Sequence, residues 1–119
     1  GWTDSRESAR AVAESLPMLT SANRIELIWV QASKYENRGA EILTDIATHL
    51  DRHGLKVTAS ALPAGQASSA ETLLEAANRA SADMIVTGAY GHSRFREWIL
   101  GGMTMDLMTK SKIPLMMAH

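Results

Sequence analysis

Two glycine clusters, Gly88-Ala89-Tyr90-Gly91 and Gly101-Gly102-Met103-Thr104, are separated by nine residues. The first follows the apolar run Met84-Ile85-Val86, which reads as a strand, and the second opens a helical pattern over Met105 to Thr109. Glycines let a backbone approach an anion closely, and the free N–H groups of a helix start favour negative charge at the same place. Strand, glycine loop and helix in that order point to phosphate binding.

An anion would have to be held by such a local site. The net charge is −1 and the pI about 6.5, so the chain as a whole offers no attraction to nucleic acid or to an anionic membrane. With no cysteine, thiol catalysis and cysteine-ligated zinc are excluded, and no apolar run approaches the length of a membrane span. These features, with no basic-then-apolar leader, are those expected of a cytoplasmic protein. At 119 residues and 45% hydrophobic, residues 1–119 form one domain with a sizeable core.

The elements around the glycines alternate between helical and strand periods, the pattern of an α/β protein with a mainly parallel sheet. Asp4 and Glu7 predict a capping box for a first helix with Ala9, Val12, Leu16 and Leu19 facing the core, kinked or ended by Pro17. Ile25 to Val30 reads as a strand covered on both faces, and a second helix is expected from Glu36 to His53 with Gly54 as its stop. Val57 to Leu62 reads as a weak strand at a sheet edge. Ser68 and Glu71 form a second capping box, before a helix with Leu73, Leu74, Ala77 and Ala80 inward. Ile113 to Ala118, with Pro114 near its start, suits a closing edge strand. Only Gly1 and Trp2 precede the first helix, where this plan requires a strand, so the chain reads as a fragment or as the second half of a longer protein.

Asp45, His49 and His53 share one helical face at a spacing that can hold zinc, but no further ligand is evident and the plain reading is a solvated face. Trp29 and Trp98 read as core or interface residues, Trp98 with the alternative of covering a ligand beside the glycine loop. No serine or histidine is placed as one member of a nucleophile and base pair, so no catalytic residue is assigned.

The spacing Gly88-x2-Gly91-x9-Gly101 resembles the universal stress protein family, whose nucleotide-binding members carry G-x2-G-x9-G-[S/T] after the fourth strand. The segment Ser8-Ala9-Arg10-Ala11-Val12 is similar to the family's S-x-x-A-[LV] on the first helix, and Ile113-Pro114-Leu115 to its closing strand, so the resemblance covers nearly the whole chain. It implies a flavodoxin-like, doubly wound parallel sheet of order 3-2-1-4-5, with most of the first strand missing from this chain. Ligands of such sheets sit beyond the carboxyl ends of the strands, where the order reverses.

The resemblance further implies binding of ATP or another adenine nucleotide, with Mg2+, in a regulatory or stress-response role, and at most slow ATP hydrolysis. Carried over, Val30 contacts adenine and Thr3 or Asp4 the ribose side. Thr87, Gly88, Gly91, Gly101, Gly102, Met103 and Thr104 surround the phosphates, with His92 and Arg94 in the loop between the glycines; Arg94 or Arg96 could add charge there. It also implies pairing through the strand Ile113 to His119, between two copies or between tandem domains of one chain. Two positions depart from the pattern. Thr3 stands where the family has an aspartate, unless a one-residue slip brings Asp4 there at the expense of the Ser8 match, and Gly102 stands where it has a serine or threonine hydroxyl. The alternative reading is a degenerate member acting only as a structural or dimerisation module.

Overall fold

The computed structural model describes residues 1–31, 38–90 and 102–119. Its elements alternate as expected: α1 (Arg6–Leu19), β1 (Ile25–Gln31), α2 (Gly39–Arg52), β2 (Val57–Pro63), α3 (Ser69–Arg79), β3 (Ile85–Gly88), α4 (Gly102–Lys110) and β4 (Leu115–Ala118). The pairs β1 with β2 and β3 with β4 are both parallel, with Ile25 opposite Val57 and Ile85 opposite Leu115. No ladder joins β1 to β3 among the described residues. The backbone of Gly1 and Trp2 lies between them instead, Gly1 N donating to Val86 O and Trp2 N to Ile28 O, each at 2.8 Å.

Successive side chains of a strand point to opposite faces, and β1 uses both. Leu27 and Trp29 pack with Leu43, Ile46 and Leu50 of α2, with Val12 and Leu16 of α1 against them. Ile28 packs on the other face with Ala70, Leu73 and Ala77 of α3 and Leu107 of α4. Helices on both faces explain why β1 is an almost unbroken apolar run. In β2, by contrast, Thr58, Ala59, Ala61 and Pro63 are exposed, as suits the outer strand it was expected to be.

The capping box of α3 forms: Glu71 N donates to Ser68 Oγ and Ser68 N to Glu71 Oε2, both at 3.1 Å. Donation from the Ser68 amide, and then Lys110 Nζ at 3.0 Å, holds the Glu71 carboxyl below the usual range. Gly54, at φ +75°, ends α2 as expected. For α1 the capping expectation is corrected, and of the two alternatives for Pro17 an end at that residue is excluded. Its cap is Ser5, whose extended backbone lets the hydroxyl accept from Ser8 N at 3.2 Å, while Asp4 stays exposed and Glu7 is buried. Pro17 lies inside the helix, which runs on to Leu19. The predicted start of α2 at Glu36 lies outside the described residues.

Candidate functional site

The site is built where β3 ends, α4 begins and α1 begins. α1 starts with a hydroxyl cluster: Thr3 Oγ1 lies 3.1 Å from Ser5 Oγ and 3.0 Å from Ser8 Oγ, and Thr3 N donates to Ser8 Oγ at 3.3 Å. Against it packs Gly88, the last residue of β3. A Cβ there would meet Ser8 N at 2.7 Å and Glu7 C at 2.9 Å. Both are backbone atoms that cannot swing aside, so close helix packing alone demands glycine at this position.

Beyond Gly88 the chain turns through Tyr90, whose φ of +56° is unusual for a bulky residue. Its N–H donates to Thr104 Oγ1 at 3.3 Å, and this bond ties the loop to the first turn of α4. Ala89 N donates to Ala118 O at 2.8 Å, continuing the β3–β4 ladder. The Tyr90 ring meets His119 edge-on, with centroids 5.9 Å apart. Gly102, at the start of α4, has nothing among the described residues within 4 Å of a built Cβ. The N–H groups of this first turn have no acceptor within the helix, and they carry the positive end of its dipole.

Of the residues singled out from sequence, Thr3, Gly88, Thr104, Gly102 and Met103 therefore fall on one connected stretch, Thr3 to Ser8 to Gly88 and on through Tyr90 to α4. Thr87 is buried beside it, its hydroxyl donating to Gly88 O at 3.3 Å. Val30 is half-buried near the end of β1, and Asp4 is exposed. Gly91, His92, Arg94, Arg96, Trp98 and Gly101 lie outside the described residues. Sequence reading missed the hydroxyl of Ser8 as the hub of the cluster and the bend at Tyr90. The available signal was Tyr90 standing between Ala89 and Gly91 in a glycine-bounded turn.

Among the described residues, no three potential ligands converge on a metal position. His53 Nδ1 lies 2.9 Å from His49 O, and the two rings are 4.7 Å apart. No helix among the described residues is long and apolar enough to cross a membrane.

Comparison with known proteins places these features in a family. Residues 3–119 match the model of the Universal stress protein family. Stress response protein NhaX of Bacillus subtilis (strain 168) is 34% identical over 82 residues, 69% of this chain and 48% of that protein. The chain thus spans about half the length of this curated relative. A universal stress protein from Archaeoglobus fulgidus superposes with a TM-score of 0.76 at 14% identity, covering 100% of this chain and 94% of that one. The hypothetical protein MJ0577 superposes with a TM-score of 0.69 at 23% identity, covering 98% and 90%. The fold is accordingly flavodoxin-like α/β, and the chain belongs to the universal stress protein family.

Proposed function

We propose that this stress-response domain binds an adenine nucleotide, with Mg2+, and that occupancy regulates its pairing or choice of partner rather than driving rapid chemistry. The observation that carries this reading is the exposed start of α4 at Gly102, clear of the other described residues and held beside the end of β3 by the Tyr90 to Thr104 bond. Phosphates would lie over the first-turn amides of α4, the ribose near the Thr3 and Ser8 hydroxyls, and adenine toward Val30. Gly91, Gly101 and Arg94 would complete the phosphate side, and the strand running to His119 would supply the pairing surface. Isothermal titration of the folded domain with ATP and magnesium should give saturable heat. Absence of heat at high protein concentration, with folding verified by circular dichroism, would sink the proposal.

A second reading, a module without a ligand, is favoured by a specific observation. The Ala89 and Tyr90 amides already donate within the protein, and the Thr3 hydroxyl is tied to Ser5 and Ser8. The double variant Thr3→Asp with Gly102→Ser separates the two. If the parent is silent and the variant binds, the module reading stands. If both bind, the variant should be tighter by roughly tenfold, the worth of about one hydrogen bond to a charged group.

A further inference from the structure

The last turn of α2 holds two imidazoles side by side. α2 stops at Arg52 because Gly54 takes up a left-handed φ of +75°, and the turn tightens there, with His53 N donating to Leu50 O at 3.0 Å and Gly54 N to Asp51 O at 2.8 Å. The His53 N–H that would continue the α-helical ladder to His49 O thus goes to Leu50 O instead. The His53 ring takes its place, with Nδ1 2.9 Å from His49 O. A carbonyl can only accept, so this nitrogen carries the ring proton, and the neutral ring keeps its free lone pair on Nε2. Metal-binding histidines are held in the same way, by donating the other ring N–H to a backbone carbonyl.

The His49 ring lies one turn back on the same helical face, its centroid 4.7 Å from that of His53 and the two planes at 54°. An ion bound at about 2.0 Å to one nitrogen of each ring lies about 3.1 Å from each ring centre, so at coordination angles of about 90–110° the centres are about 4.5–5.2 Å apart. The observed separation falls inside that range. Both residues are exposed, so an ion can reach them while keeping water in its other positions. The end of α2 also carries the negative pole of the helix dipole, which favours a cation. Asp45, a further turn back, does not converge with the two rings among the described residues. The chain therefore supplies two ligands, not three.

We propose that His49 and His53 form a two-point site for a transition-metal ion that favours imidazole, binding Cu2+ ahead of Ni2+ and Zn2+. Imidazole nitrogen suits these ions, whereas Mg2+ and Ca2+ take oxygen ligands and are passed over. Affinity comes from joining the two rings on one helix: once one holds the ion, the other is already within reach. The His53 ring also loses little freedom on binding, because its bond to the His49 carbonyl fixes it beforehand. The inference does not rest on the nucleotide reading. α2 leads back from the carboxyl end of β1, so its last turn lies at the opposite end of the sheet from Gly88 and the start of α4, and the Mg2+ expected with a nucleotide would not occupy it.

The test titrates the 119-residue chain with Cu2+ at neutral pH, following the imidazole signals by NMR and the heat by calorimetry. At substoichiometric Cu2+ the signals of His49 and His53 should broaden together, ahead of those of His92 and His119. His49→Gln keeps the backbone carbonyl that holds the His53 ring, so it removes a ligand without removing the cap. It should weaken Cu2+ binding by about a hundredfold, the low end of what joining two ligands gains, whereas His119→Gln should stay within about threefold of the parent. Cu2+ should raise the urea midpoint of the parent and not that of His49→Gln, and Ni2+ and Zn2+ should bind more weakly in that order. Binding by His49→Gln as tight as by the parent would overturn the proposal, as would broadening that begins at His92 or His119. Should His49→Gln fail to fold by circular dichroism, the order of broadening in the unaltered chain decides by itself.

Discussion

Gly88 and Gly102 belong to the same motif, yet their surroundings give them different reasons to be glycine. Gly88 is wedged against the backbone of Glu7 and Ser8, whereas a side chain at Gly102 would meet none of the described residues. Gly88→Ala should therefore cost about 1–3 kcal/mol, the range for overpacking against atoms that cannot yield, read as a lower urea midpoint with unchanged m-value. Gly102→Ser should be tolerated sterically, which is why it serves to probe the proposed phosphate position without disturbing the fold. An undiminished midpoint in Gly88→Ala would mean that α1 can move off the end of β3.

At the scale of elements, α3 and α1 show how far a local signal reaches. The Ser68 and Glu71 box satisfies two amides reciprocally, so Ser68→Ala should destabilise by about 1 kcal/mol, measured by chemical denaturation. For α1 the same kind of pattern, Asp4 with Glu7, points one residue too early. Thr3 and Ser5 are drawn together by Ser8, and Ser5 takes the cap. Pro17 ends nothing, because a proline removes one N–H but does not outweigh the packing of Leu16 and Leu19 on the core. β2 was legible as an outer strand from its small and polar residues, and it pairs with β1 alone among the described strands.

For the molecule as a whole, the two strand pairs are joined by the backbone of Gly1 and Trp2 and by a shared cluster in which Ile28 of β1 and Ile85 of β3 pack with Leu73 and Leu107. Leu107 of α4 is 1% exposed and packs in this cluster. Leu107→Ala should therefore cost about 2–5 kcal/mol, read as a lower urea midpoint. An unchanged midpoint would mean that α4 contributes nothing to the joining of the two strand pairs.

Periodicity, caps and glycine spacing along the chain were enough to determine the alternation of helices and strands and the family, because each is written in residues within one turn or one strand of each other. Why Gly88 must lack a side chain, and how the two strand pairs are joined, were decided by tertiary structure alone. They depend on contacts such as Gly88 with Ser8 and Gly1 with Val86, between residues about eighty positions apart, and no local pattern encodes the steric and hydrogen-bonding demands of a neighbour that only folding supplies.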